Sequence, residues 1–191
     1  MLAVRRLRRA LFLLSFLPLL LVPAAGHAQT SFAGLRFGQT DTEIRSTLSG
    51  RGYEFQKVDE DGDLVFEGTI QDQRAVVFAM LRANGGLGRV QVTLVTADED
   101  AIPVYEVVLA DLMSKYGVPE KVFDFYEPPF ANGDGHEARA IAQGKGHRAA
   151  FWVTPNVMVS IPRNLAVSVV YEGPDWAAEV ARRTRRSTSD F

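Results

Sequence analysis

One stretch of the chain collects most of the side chains that could bind a partner or a ligand. It reads Tyr126-Glu-Pro-Pro-Phe-Ala-Asn-Gly-Asp-Gly-His-Glu137, so aromatic rings, carboxylates and an imidazole share a segment punctuated by proline and glycine. Binding residues concentrate on such loops, and aromatic rings beside polar groups are typical of protein contacts. We therefore predict a partner-binding loop whose contact residues are Tyr126, Phe130, Asp134, His136 and Glu137. The alternative is a plain turn that Gly-Asp-Gly permits, with Phe130 tucked beneath it.

The same loop suggests a second chemistry, which is metal binding. Imidazole and carboxylate groups suit zinc, and Asp134, His136 and Glu137 could be joined by His147 across a hairpin. No pair of these residues has the tight spacing of a zinc motif. The lead prediction is therefore a protein with no metal, no cofactor and no catalytic residues. A small metal-dependent or ligand-binding enzyme that uses the 126–137 loop is the alternative.

A second acidic segment, Asp59-Glu-Asp-Gly-Asp63, suggests calcium, which prefers clustered oxygen ligands. The segment departs from the EF-hand pattern, because Leu64 stands where that loop requires glycine and no glutamate falls at its twelfth position. We interpret it as a solvated acidic turn. The chain also contains no Gly-x-Ser-x-Gly elbow, no phosphate-binding loop and no His-Glu-x-x-His pair. The motifs thus favour a non-enzymatic protein.

The first 28 residues have the three-part layout of a secretory signal peptide. Four arginines between positions 5 and 9 precede a largely apolar run over residues 11–22, and Gly26-His27-Ala28 carries small residues at its first and third positions. The apolar run is shorter than the roughly 20 residues that a membrane-spanning helix needs. We expect cleavage near Ala28, and a mature protein that is periplasmic or secreted and does not span the membrane.

Charge and composition limit the possible partners. Without the four leader arginines the chain keeps 17 basic residues (21 less 4) against 23 acidic ones, a balance that argues against nucleic acid. Hydrophobic residues make up 47% of the chain, which is enough for a buried core. There are no cysteines, so disulfides, thiolate metal sites and a cysteine nucleophile are excluded. An envelope protein remains as the expected partner.

The residues after the leader predict two successive units of the same order, each a helix followed by strands. In residues 29–100, Thr40 and Glu43 form a capping box that begins a helix, and alternating apolar stretches predict about four strands. Asn84-Gly-Gly86 supplies a hairpin turn between two of them. In residues 101–173, an apolar stripe over residues 105–116 predicts the second helix.

Five further stretches of that second unit predict strands, and residues 137–143 are one of them. Residues 174–191 predict a C-terminal helix and tail. Four arginines (182, 183, 185 and 186) lie near the end of this helix, where the negative end of the helix dipole would stabilise their charges. The turns between strands are too short for parallel crossovers, so the sheet should be antiparallel. We therefore predict an α+β protein of two helix-plus-antiparallel-sheet repeats that share a sheet, with a C-terminal helix.

Two segments carry a resemblance to a known family. Gly34-Leu-Arg-Phe-Gly-Gln-Thr-Asp-Thr-Glu-Ile44 resembles the opening of small periplasmic domains of the SmpA/BamE type, and Leu112-Met-Ser-Lys-Tyr-Gly-Val-Pro119 looks like a related helix end. A tandem helix-plus-sheet arrangement of this length is also similar to the architecture of the secreted beta-lactamase-inhibitor proteins. The resemblance implies a non-enzymatic protein of the bacterial cell envelope that works by binding another protein.

Overall fold

The computed structural model describes residues 32–189. The predicted signal peptide with its cleavage point near Ala28, and the last two residues, lie outside the described residues. The helices and strands of the described part follow in this order: α1 (Asp41–Ser49), β1 (Glu54–Val58), β2 (Leu64–Ile70), β3 (Gln73–Leu81), β4 (Leu87–Leu94), α2 (Ala101–Tyr116), β5 (Lys121–Tyr126), α3 (Glu137–Ala142), β6 (Gly146–Trp152), β7 (Val157–Ser160), β8 (Val167–Glu172) and α4 (Trp176–Ser189). None of these helices combines the length and the apolar character that crossing a membrane requires.

All eight strands belong to one antiparallel sheet, in the order β1-β2-β3-β4-β8-β7-β6-β5. Strands β1 to β4 form one half of the sheet and β5 to β8 the other half. The halves meet where β4 pairs with β8, and Val92 lies opposite Val169 at that junction. The predictions of an α+β fold, an antiparallel sheet and a C-terminal helix are confirmed. That the two halves are repeats of one unit stays a prediction.

The sequence signals for the first helix and for one hairpin correspond to real contacts. The Thr40 N–H donates to the Glu43 carboxylate at 2.8 Å, which closes the predicted capping box at the start of α1. This bond, and a second one that the Thr40 hydroxyl donates to the same carboxylate at 2.8 Å, lower the pKa of Glu43. In the β3–β4 turn, Gly85 has φ +79° and the Gly86 N–H donates to the Asn84 side chain at 3.1 Å. Glycine is required at position 85 because other residues rarely adopt that conformation.

The prediction of a strand over residues 137–143 is wrong, because this segment forms α3. Its composition, Glu-Ala-Arg-Ala-Ile-Ala, consists almost entirely of strong helix formers, with one β-branched residue. Ala140 and Ile141 are buried, and the Lys145 N–H returns to the Ala140 carbonyl at 2.8 Å. A six-residue helix shows too little periodicity to be distinguished from a strand by pattern alone.

Alternation along the strands sends one set of side chains beneath α1, α2 and α3, and we call this side the helix-covered face. Val92 of β4 and Val169 of β8 share one buried cluster with Ile44 of α1, Leu112 of α2 and Ile141 of α3. The opposite side of the sheet is the open face. Residues that alternate with the buried set lie there, because successive strand residues point to opposite sides.

The C-terminal helix α4 is fixed beside the ends of β2, β3 and β4. Trp176 is buried against Gly88, where a Cβ atom would come within 2.7 Å of the indole ring. Arg183 reaches the carboxylate of Asp63, just before β2, with nitrogen–oxygen distances of 2.6 and 2.8 Å. Asp63 is only 3% exposed, so the interpretation of residues 59–63 as a solvated turn is wrong for this residue. A cation distant in sequence makes its burial possible.

Candidate partner-binding surface

The polar residues of the 126–137 loop bind the loop's own backbone. The Asp134 carboxylate accepts hydrogen bonds from the N–H groups of Ala131 at 2.8 Å and His136 at 2.7 Å, and these bonds lower its pKa. The Glu137 carboxylate accepts from the Gly133 N–H at 2.7 Å. Asp134 and His136 are exposed at the surface. The loop is therefore held in shape by the same carboxylates that the sequence assigns to a partner.

The aromatic residues of this loop are less exposed than its polar ones. Tyr126 ends β5 and packs against Gly146, where a Cβ atom would come within 2.7 Å of the phenol ring. Burial, and next the neighbouring Asp124 carboxylate, raise the pKa of Tyr126 to about 12, so its hydroxyl stays protonated at neutral pH. Phe130 is partly buried. Both residues thus contribute to packing as well as to the surface.

The alternative prediction of a metal site finds no supporting geometry. Within residues 32–189, no group of three or more histidine, aspartate or glutamate side chains is arranged to hold a metal ion. His136 stands immediately before α3, whereas His147 lies on β6 opposite Phe125 of β5. The histidine of β6 contacts aromatic rings, with its ring centroid 5.8 Å from that of Phe125. Asp134, His136, Glu137 and His147 are therefore not brought together as a ligand set.

A group of aromatic residues with one methionine, in part exposed and in part half-buried, lies on the open face next to the loop. We call it the aromatic patch, and it consists of Phe123, Phe125, His147, Phe151 and Met158, from β5, β6 and β7. The Phe123 ring meets the Phe151 ring edge-on at 5.6 Å and the His147 ring at 6.0 Å. Phe123 is 41% exposed and Phe125 52% exposed. Contiguous exposed apolar side chains of this kind mark sites of interaction.

A groove of about 520 Å³ continues from the patch toward the turn after β7. Apolar side chains and glycines form most of its lining, and the polar or charged side chains of Glu127, His147, Ser160 and Arg163 stand among them. The other lining residues are Phe125, Ile141, Gly144, Gly146, Ala149, Phe151, Met158, Ile161 and Pro162. The groove and the patch form one concave, mostly apolar surface.

Strand β5 is one edge of the sheet, and it borders the patch along its whole length. Among residues 32–189 it pairs with β6 alone, in an unbroken register from Lys121 opposite Phe151 to Tyr126 opposite Gly146. Five of its six residues are exposed. An edge strand presents unpaired N–H and C=O groups along one side, which another chain can extend. The loop predicted as the binding segment begins where this strand ends.

The sequence contains a signal for this patch that the loop prediction did not use. In Lys121-Val-Phe-Asp-Phe-Tyr126, the two phenylalanines alternate with Val122 and Asp124, so both must lie on one face. Likewise, Phe151 and Trp152 must point to opposite faces. Trp152 is 1% exposed beneath the helices, which leaves Phe151 on the open face. Alternation therefore assigns the face, but only the strand order places β5 at an edge.

Comparisons of the chain with protein-family models, with curated proteins and with solved structures find no significant match. The resemblance to SmpA/BamE-type domains therefore stays a prediction, together with the protein-binding role that it implies. The geometry of β5, the aromatic patch and the adjoining loop defines the candidate site.

Proposed function

We propose that this chain is an exported, non-enzymatic binding protein of the bacterial cell envelope that captures an extended segment of a partner protein along β5. The observation that carries the proposal is the exposed aromatic patch beside an edge strand with an unbroken register. In strand addition, main-chain hydrogen bonds supply affinity and side-chain contacts supply specificity. Phe123 and Phe125 would provide those side-chain contacts on the open face.

The 126–137 loop extends the proposed contact beyond the end of the strand. Asp134 and Glu137 hold the loop by backbone hydrogen bonds, so its shape exists before a partner arrives. A preorganised surface loses less conformational entropy on binding than a loose one. Phe130, Asp134 and His136 are the loop residues that we propose as contacts, with Tyr126 as the packed base of the loop.

Export is the second part of the proposal, and it depends on the predicted signal peptide. The cationic, apolar and small-residue segments of residues 1–28 support a periplasmic or secreted location. The absence of cysteine agrees with folding that needs no disulfide formation. Fractionation of cells that express a C-terminally tagged chain tests this part. A tagged product that remains in the cytoplasm with its first 28 residues intact contradicts it.

The binding part is tested by crosslinked capture from an envelope extract with matched edge variants. Phe125→Glu places a charge in the patch at a position that is 52% exposed, so the fold should tolerate it. Phe55→Glu is the control, because Phe55 is an aromatic residue on β1, at the opposite edge, and is 39% exposed. We expect Phe125→Glu to reduce the captured partner at least about tenfold, the cost of an unpaired charge at an apolar contact. Phe55→Glu should capture as much as the wild type.

A double variant in the loop separates the contribution of the loop from that of the strand. We expect Phe130→Ala combined with His136→Ala to weaken capture by a smaller factor than Phe125→Glu does, because the loop contact supplements the strand contact. Circular dichroism and thermal unfolding check that each variant keeps its fold. Equal capture by Phe125→Glu and Phe55→Glu, or no discrete partner for the wild type, contradicts the proposal.

A further inference from the structure

A cavity of about 140 Å³ lies on the helix-covered face, on the opposite side of the sheet from the aromatic patch. Val92, Leu94 and Val169 of the two central strands line it from the sheet, and Val108 and Leu112 line it from α2. Its remaining lining residues are Phe32, Ile70, Gln71, Asp111 and Tyr171. The site is thus built where the two halves of the sheet meet.

The lining decides what chemistry the cavity can accept. A water molecule in a protein interior needs two to four polar partners, and the side chains contributed by β4 and β8 next to the cavity offer valines, a leucine and one tyrosine. Gln71 and Asp111 are both exposed, so the polar groups stand at the mouth and the hydrocarbon groups lie inside. An apolar cavity of about 150 Å³ in another protein stays free of water and binds benzene. This cavity has nearly that size.

Two exposed lining residues from distant elements are joined by a side-chain hydrogen bond at the open side of the cavity. The Gln71 amide, in the β2–β3 turn, donates to the Asp111 carboxylate of α2 at 2.9 Å. This turn has two residues, because Ile70 pairs with Gln73, and both of them lie in the left-handed region, Gln71 with φ 49° and Asp72 with φ 63°.

The residue at position 71 is not the one that such a turn prefers. Two-residue hairpins of this conformation favour Asn-Gly or Asp-Gly, and another residue costs about 1–2 kcal/mol in the left-handed region. Strain of this kind concentrates at ligand-binding sites. Glutamine has a longer side chain than the Asn or Asp that such turns favour, and this side chain reaches Asp111. The conformation of the turn does not by itself require a glutamine at position 71. The strained turn is therefore a second observation that points to the mouth of this cavity.

We propose that this cavity is a binding site for a small apolar group of about the size of benzene, which enters beside the Gln71–Asp111 hydrogen bond. The bound group would be a hydrocarbon, either a free aromatic compound or the end of a medium-length acyl chain. The site is independent of the strand-addition surface, since the two lie on opposite faces of the sheet.

The purified full chain, as its host processes it, is titrated with benzene and separately with octanoate. Binding is followed by methyl NMR shifts of Val92, Leu94 and Val169 and by the thermal midpoint. Benzene at a hundredfold excess over its Kd should raise the midpoint, because a ligand of the native state stabilises it by mass action. If only benzene shifts the methyl signals, the site accepts a free aromatic compound. If benzene and octanoate both shift them, the site also accepts the end of an acyl chain.

Two neighbouring positions on α2 provide the matched variants. Val108→Phe fills the cavity from its α2 side, whereas Val107→Phe adds the same ring at a position that is 51% exposed and outside the lining. We expect Val108→Phe to abolish the midpoint rise and Val107→Phe to preserve it. If Val108→Phe does not fold, Val169→Leu is the smaller filling variant and should weaken binding at least about fivefold. Absence of methyl shifts with both probes in the wild type, or equal responses from both phenylalanine variants, overturns the proposal.

Discussion

Replacing Arg183 by methionine should destabilise the protein, because it removes the ionic contacts that hold α4 beside the sheet. The Arg183 guanidinium donates to Asp63 at 2.6 and 2.8 Å, to the Leu81 carbonyl at 2.6 Å and to Glu179 at 3.0 Å. The pKa of Arg183 is raised, first by the hydrogen bond to Asp63. Methionine keeps much of the apolar stem and removes the charge, so the variant isolates the ionic contribution.

The magnitude follows from what each carboxylate keeps after the change. Glu179 retains Arg182 at 2.6 Å and the Ala83 N–H at 3.1 Å, so it loses little. The Asp63 carboxylate belongs to a residue that is 3% exposed, and it retains the hydrogen bond from the Leu81 N–H at 2.8 Å. An uncompensated buried charge typically costs about 3–5 kcal/mol. Separation of α4 from the sheet would admit water to Asp63, so we expect the lower end, about 3 kcal/mol.

Urea unfolding at pH 7 measures this loss directly. With a slope of about 2–3 kcal/mol per molar for a chain of this size, the midpoint should fall by about 1 M or more. Arg182→Met is the control, because Arg182 is 40% exposed and pairs with Glu179. Its loss should stay within about 1 kcal/mol.

A double-mutant cycle tests the stated cause. Asp63→Asn removes the buried charge, so Arg183→Met should cost about 2 kcal/mol less in that background than in the wild type. Two results would refute the reasoning: equal losses for Arg183→Met and Arg182→Met, or additive effects of Asp63→Asn and Arg183→Met. Either would mean that the observed ion pair does not hold α4 in place.

Three further changes have consequences that unfolding measurements can check. Hydrogen bonds from Arg182 first, and then from Arg183 and the Ala83 N–H, together lower the pKa of Glu179 from 4.5 to about 2. The stabilisation is therefore complete above pH 4.5 and is lost as the pH falls toward 2. We expect a decline of up to about 3 kcal/mol over that range, and Glu179→Gln should flatten it. Gly68→Ala should lower the thermal midpoint by several degrees, because its Cβ would lie 2.5 Å from the Tyr53 ring; an unchanged midpoint contradicts this packing. Trp152→Phe removes the 2.9 Å bond from the indole N–H to the Gly117 carbonyl and should cost about 2 kcal/mol in urea; a loss below about 0.5 kcal/mol would show that this bond contributes little.

Local signals were sufficient where the stabilising contacts are close in sequence. The capping box at Thr40 and Glu43 spans three residues, and the Asn84-Gly-Gly86 turn joins adjacent strands. Such contacts are encoded by residue type and spacing, so the sequence predicts them. The α+β class and the antiparallel sheet follow from the same short turns.

Longer-range contacts account for the features that the sequence could not predict. Asp63 is buried because Arg183, 120 residues later, neutralises it, and no local pattern indicates that pairing. The position of β5 at an edge depends on β8 returning to pair with β4. The exposure of Phe123 and Phe125 therefore depends on the order of all eight strands. The sequence identified the adjoining loop by its residue types, and the partner contacts assigned to it stay a prediction.

The two edges of the sheet differ in a way that favours β5 as the binding edge. At β1 the register shifts between Phe55 and Lys57, and the Arg45 guanidinium, which pairs with Asp41, lies 3.6 Å above the Phe55 ring. Bulges and charged side chains are devices by which native sheets prevent unwanted pairing at an edge. Strand β5 keeps a continuous register with β6, and its phenylalanines contact rings of their own sheet. An exposed edge with a continuous register and aromatic side chains carries a risk of aggregation unless another chain covers it, and this agrees with the proposed pairing of a partner strand along β5.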